Sequence, residues 1–357
     1  MRLKILFRNG TIAAVLAIFL YGTASLYLQA CDAIPKNFLW RPTTASGRES
    51  NFFQGRSDYL QLSRATLWEP RPGARAKNFT INLHGLRVSA PITNKDKRPR
   101  IVVLGDSTTF AQDTEEPVTW PLLLERLAKV SRVDLEVLNC SVPAFTSVQC
   151  LAWYQSRIAY FDPDIIIVAT TGYFESSTPI ERTSDEELIS LSHSRVFGLK
   201  LFLNRFGTLR YFLGPPTVPH REVAATERVS LDAHRRALSA FAELQTKGSS
   251  PTKNQRFVFV SLPISPDATR SNPRILEYIE ATQQTGNLFN IPAINLNQFE
   301  PTDHVKEFSE LFRSEMQYSN NGQYWIASRL VAELSRRFVQ NGTFSLSPMA
   351  ESRPGIK

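Results

Sequence analysis

Five short strand-like segments rich in apolar residues, separated by stretches of helix length, constrain the fold of this chain more than any other feature. The strongest is residues 164–169, Asp-Ile-Ile-Ile-Val-Ala, introduced by Asp162-Pro163. The others lie at 101–104, 134–138, 256–262 and 293–296. The two unbroken runs, 101–104 and 165–169, mark strands buried on both faces, as in parallel sheets, and the other three segments read as shorter or mixed strands. Between them the sequence predicts helices over 118–130, with Leu122, Leu123, Leu127 and Val130 on one face, and over 147–160, 221–247, 273–284 and 321–339. Strands and helices in alternation predict an α/β domain with three layers, α/β/α, around a central parallel sheet. A short strand is also expected over 79–87.

The alternation lapses over 173–220. This insertion has an acidic portion around Asp185-Glu186-Glu187 and an aromatic one containing Phe197, Phe202, Phe206, Tyr211 and Phe212. It reads as core, as a hydrophobic cover for a cleft, or as a surface that touches a membrane.

The two ends differ from the middle. Arg2, Lys4 and Arg8 precede the uncharged run 11–30, which at 20 residues is long enough to span a bilayer. Early positive charge favours a cytoplasmic N-terminus, so the chain beyond residue 31 is expected on the extracytoplasmic side, periplasmic or extracellular. An uncleaved transmembrane anchor, a cleaved signal peptide and lipidation at Cys31 in Leu28-Gln29-Ala30-Cys31 all fit this pattern. Residues 32–76 read as a stalk packed onto a domain at 77–340, and 341–357 as a disordered tail. The net charge of +8 on 357 residues carries no basic run interleaved with aromatics, so nucleic acid is not an expected partner. Cys31, Cys140 and Cys150 make an odd set; Cys140 and Cys150 are either a disulfide or two buried thiols. No Cys/His cluster has metal-ligand spacing, and no cofactor is expected.

Chemistry concentrates at 100–110, Arg-Ile-Val-Val-Leu-Gly-Asp-Ser-Thr-Thr-Phe. Gly105 ends the strand, and Asp106 to Thr109 supply capping residues for a following helix. Ser107 is thereby placed at the carboxyl end of a strand and at a helix N-terminus, where N–H groups and the helix dipole are expected to favour an oxyanion.

The same segment resembles the first block of the SGNH or GDSL hydrolases, a family of esterases and lipases whose nucleophilic serine lies in Gly-Asp-Ser. The resemblance runs from Asn82-Leu83-His84-Gly85-Leu86-Arg87, similar to an Asn-x-x-Gly-x-Arg that precedes the first strand in envelope members. It continues at Asn139-Cys140-Ser141-Val142-Pro143-Ala144-Phe145-Thr146, similar to Asn-x-Gly-Val-Pro-Gly-Tyr-Thr. It implies an SGNH-hydrolase-like, flavodoxin-like fold, with Ser107 as nucleophile and a backbone N–H at Ser141 as an oxyanion donor.

The rest of the family's catalytic set is replaced. Phe174 stands where the resemblance implies an Asn donor. Near the C-terminus, residues 314–322 fit Asp-x-x-His-x-x-x-x-Gly, but Ser314 replaces the Asp and Gln317 the His. An amide cannot take a proton at neutral pH, so Gln317 cannot activate Ser107. His304 and Glu175 are the candidate substitute bases. Asp106, Thr108, Phe174, Glu175, Ser314 and Gln317 are the residues expected to contact a ligand. The reading is a membrane-anchored protein whose former active site binds an acyl, acetyl or glycan-type ligand, such as an ester-bearing lipid or glycan, or a partner. The alternatives are an active ester hydrolase with an unconventional base and a purely structural envelope protein.

Overall fold

A computed structural model describes residues 59–339, apart from 88–91, 93–94, 96–97, 116–117, 132, 180–182, 194–225, 248–254, 302–304 and 306. The uncharged run 11–30, Cys31, the tail, most of the aromatic insertion and His304 lie outside the described residues. Among the described residues no helix is long and apolar enough to cross a membrane.

The described part opens with an antiparallel hairpin, β1 (Leu60–Ser63) and β2 (Leu67–Pro70). It continues through β3 (Arg100–Gly105), α1 (Ser107–Phe110), α2 (Trp120–Val130), β4 (Glu136–Asn139), α3 (Ser147–Ser156) and β5 (Ile165–Thr170). Then come α4 (Asp185–Ser192), α5 (Leu231–Lys247), β6 (Arg256–Ser261), α6 (Pro266–Ser271), α7 (Ile275–Phe289) and β7 (Ala293–Asn295). A second small hairpin, β8 (Phe312–Ser314) and β9 (Gln317–Tyr318), leads into α8 (Asn320–Val339).

Strands β3 to β7 form one parallel sheet in the order β4-β3-β5-β6-β7. Counted along the chain this is 2-1-3-4-5, the flavodoxin-like order, in which the topological switch lies between the first and third strands and a cleft opens beyond their carboxyl ends. Alternate residues face opposite layers. Ile101, Val103, Ile165, Ile167, Val258 and Val260 pack against α2 and α8, with Trp120, Leu124, Ile326 and Leu330. Val102, Leu104, Ile166, Val168, Phe257 and Phe259 meet Trp153 and Tyr154 of α3 and Phe241 of α5.

Several boundaries differ from the sequence reading. Residues 79–87 form no strand; they hold one isolated bridge, Arg75 to Thr80, and then turns. Asn82 explains why: its Oδ1 accepts from the backbone N–H groups of His84 (2.9 Å) and Leu86 (3.0 Å), closing a turn in which Gly85 adopts φ +77°. Residues 59–76, the described part of the segment read as a stalk packed onto the domain, bury Tyr59, Leu60, Leu67 and Trp68 in its core. The helix expected over 147–160 ends at Ser156 and is followed by a 3₁₀ turn, Ile158–Phe161. The described part of the segment 221–247 becomes helical only at Leu231. Cys140 and Cys150 are both free and buried, and burial pushes both thiols well above their ordinary range.

Candidate active site

Gly105 is the last residue of β3 and has no room for a side chain. A Cβ there would lie 2.6 Å from both the Ala169 carbonyl oxygen and Thr109 Oγ1. Asp106 follows, buried, and ties the turn together. Its Oδ1 accepts from Thr108 N (2.8 Å) and Thr108 Oγ1 (2.6 Å), while its Oδ2 accepts from Thr171 Oγ1 (2.8 Å) at the end of β5. Burial raises the Asp106 pKa, and the bonds from Thr108 and Thr171 pull it back. Asp106 thus joins the ends of two adjacent strands beneath Ser107.

Ser107 is partly exposed, but the helix it begins is a single turn, ended by Ala111 at φ 55°. The dipole expected there is therefore minimal, because a macrodipole needs aligned turns to accumulate. What reaches the nucleophile is one backbone N–H, that of Ala144, which donates to Ser107 Oγ at 2.8 Å. The bond to Ser107 thus comes from Ala144, while Ser141, the expected oxyanion donor, is engaged by its own loop. The Ser141 N–H and hydroxyl are both engaged by Asn139 Oδ1, and the side chain is buried. Ala144 sits at φ 56°, a left-handed conformation that favours glycine, and it occupies the second glycine position of the resembling block.

A cleft of about 200 Å³ opens above Ser107. Three segments wall it: Thr108 and the loop Ala111 to Thr114; Tyr173 and Phe174 after β5; and Arg313, Met316, Gln317 and Tyr318 of the β8–β9 hairpin, with Gln323 behind. Phe174 lies beside Tyr173, ring centroids 5.4 Å apart and nearly perpendicular, and brings no donor to the oxyanion. Gln317 donates from Nε2 to Asp113 Oδ2. Among the described lining residues Asp113 is the one carboxylate, and none is a histidine. The Asn82/Arg87 motif acts here as well: the buried Arg87 guanidinium donates to the carbonyls of Phe110, Ala111 and Thr114, fixing the loop that presents Asp113.

Two expected ligand contacts are elsewhere. Ser314 is exposed on β8, outside the lining. Glu175 is buried behind the cleft, its Oε1 accepting from Ser147 N at 3.0 Å at the start of α3. Its Oε2 has no hydrogen-bond partner. Burial, with the Asp106 charge second, pushes Glu175 up to about 7. Next to it, His234 bridges Ser147 Oγ (2.9 Å, Nδ1) and Thr282 Oγ1 (3.0 Å, Nε2). Thr282 gives its own proton to Tyr278 O, so Nε2–H is the donor and the ring is neutral. Burial holds His234 down at about 3. Of the other histidines, His84 and His193 are exposed and outside the cleft lining. Among the described residues no group of His, Cys, Asp and Glu is arranged to hold a metal ion.

The strand order and the place of Ser107 at the end of the first strand are those implied by the sequence resemblance. The fold is SGNH-hydrolase-like. No protein-family model matches the chain, and no curated protein matches it in sequence. Solved structures do. A lipase/acylhydrolase from Enterococcus faecalis is similar at 15% identity and TM-score 0.44, over 67% of this chain and 96% of that one. A putative lipolytic protein of the G-D-S-L family from Desulfitobacterium hafniense is similar at 14% and 0.42, over 66% and 99%. A psychrotrophic esterase from Pseudoalteromonas gives 13% and 0.42, over 67% and 98%.

Proposed function

We propose that the cleft over Ser107 binds an acyl or acetyl ester group, carried on a lipid or a glycan, without hydrolysing it. The observation that carries this reading is Gln317. It stands where the resemblance requires an imidazole, faces the Ser107 cleft, and spends its amide N–H on Asp113. Loss of the base in a serine hydrolase costs on the order of 10⁶-fold in rate, and loss of one oxyanion donor, here at Phe174, a further 10²- to 10³-fold. What is retained suits binding: a hydroxyl, one aimed N–H, and an apolar wall of Tyr173, Phe174 and Met316 around a space that accepts a small group. The uncharged run 11–30 supports an anchored, extracytoplasmic placement for this domain.

A second reading, slow hydrolysis with an unconventional base, is favoured by one observation: the Asp113 carboxylate shares the cleft with Ser107. Single-turnover measurements with p-nitrophenyl acetate separate the two. The first reading expects no nitrophenol release beyond that of Ser107→Ala. It also expects a saturation-transfer NMR signal from the intact ester that is lost in Ser107→Trp, which fills the cleft. Release that disappears in both Ser107→Ala and Asp113→Asn would establish the second reading instead.

A further inference from the structure

The Ala144 N–H belongs to the same planar unit as the Pro143 carbonyl, and that carbonyl has a partner from a distant part of the chain. Trp68 Nε1, on β2 of the N-terminal hairpin, donates to Pro143 O at 3.0 Å. Across a trans peptide the C=O and N–H point in opposite directions. A bond on Pro143 O therefore fixes the direction in which the Ala144 N–H leaves the other side, toward Ser107 Oγ at 2.8 Å. Donation to the carbonyl also polarises the peptide and strengthens its N–H as a donor.

The next peptide is held as well. Arg228 Nη1 donates to Ala144 O at 2.9 Å. Its remaining donors grip Asp185 in a fork, Nε to Oδ1 at 3.2 Å and Nη2 to Oδ2 at 2.6 Å, and reach Gln149 Oε1 at 2.9 Å. Both members of this ion pair are buried, and the guanidinium carbon lies 5.4 Å from the centroid of the Trp68 ring. Ala144, in a conformation an L-residue seldom adopts, is thus pinned by one bond on each flanking carbonyl.

We infer that Trp68 and Arg228 are positioning residues for the oxyanion-type donor at Ala144. The hairpin at 60–70 and the segment around Asp185 and Arg228 are then parts of the ligand site, although neither touches the cleft. This inference rests on the reading that a tetrahedral or carbonyl oxygen is accepted beside Ser107.

The test is Trp68→Phe, which removes Nε1–H and keeps an aromatic ring in the core. Two readouts are taken on the full chain. The first is the Ala144 amide itself. The sequence contains two Pro-Ala pairs, 143–144 and 292–293. Carbonyl-labelled proline with ¹⁵N-alanine therefore gives two correlations, Ala144 and an internal control, Ala293, told apart by Ala144→Gly. The second is the tetrahedral adduct of phenylboronic acid, followed by ¹¹B NMR. Ser107 Oγ bonds to boron, its proton passes to water, and the boron becomes four-coordinate and anionic.

Trp68→Phe is expected to move the Ala144 amide proton upfield with Ala293 unmoved, and to weaken the adduct by about 3- to 10-fold, the value of one neutral hydrogen bond. Arg228→Lys, which keeps the charge and loses the fork, is expected to weaken it to a similar extent. Either readout unchanged in Trp68→Phe overturns the inference. A wild type that forms no adduct overturns the ester-site reading instead, and the Ala144 shift alone then decides the role of Trp68.

Discussion

Ser107 stands on a platform whose polar members, Asp106, Thr108 and Thr171, are buried and bonded to one another. Gln317 hangs from a two-stranded hairpin in which Arg313, Ser314 and Glu315 are all exposed. The two halves of one cleft therefore differ in what a substitution costs. On the nucleophile side, each group is tied into the sheet, and a change there disturbs the ends of β3 and β5. On the hairpin side, Tyr318 is buried in the core but Arg313, Ser314 and Glu315 project into solvent, so a change at Ser314 is expected to disturb folding little. Stability constrains the first half of the cleft more tightly than the second.

The largest effect that would break this contrast is expected at Gly105. Gly105→Ala forces a Cβ against the Ala169 carbonyl and Thr109, and is expected to cost about 4 kcal/mol in urea denaturation, in the range of severe overpacking. A variant as stable as the wild type would mean that the platform is not rigid.

Next comes the layer behind the platform, whose titration should alter stability alone. Glu175 keeps its proton up to about pH 7 when folded, against an ordinary value of 4.5, so unfolding releases a proton between these values and stability falls as pH rises. His234, held at about 3 against 6.5, does the opposite: the unfolded chain takes up a proton over pH 3 to 6.5, and stability rises with pH. Between pH 4.5 and 6.5 the two contributions offset each other. Glu175→Gln removes one of them, so the variant's stability should climb relative to wild type by about 1.4 kcal/mol per pH unit across that window. Parallel curves for the two proteins would refute the assignment.

On the hairpin side, Gln317→His combined with Ser314→Asp is expected to raise p-nitrophenyl acetate hydrolysis by at least about 100-fold, since it returns a general base and its orienting partner. The gain must vanish when Ser107→Ala is added; a gain that survives comes from a surface imidazole. The smallest effect belongs to Ser314→Ala, exposed and outside the cleft. It should shift stability by less than about 0.5 kcal/mol.

The sheet and the place of Ser107 were legible because both are written locally, in short apolar-rich segments and in a Gly-Asp-Ser that closes one of them. The donor at Ala144 was not, because choosing between Ser141 and Ala144 depends on a backbone angle three residues further on. Asp113 was missed because its partner, Gln317, is 204 positions away and the pairing exists only once the hairpin folds over the loop. Glu175 looked like a base beside Phe174, but the chain turns after β5, so that Tyr173 and Phe174 line the cleft while Glu175 is buried against the start of α3. The β1–β2 hairpin escaped notice since two four-residue strands are too short to establish a period.

The two buried cysteines bracket the loop that carries the Ala144 donor. Cys140 lies just before it and Cys150 within the helix just after it. Neither thiol meets solvent in the folded state, so an alkylating reagent modifies them only when this part of the chain opens. In a Cys31→Ser background the rate of that modification is a stopwatch for the loop, and a ligand that settles against Ser107 and Ala144 will slow it.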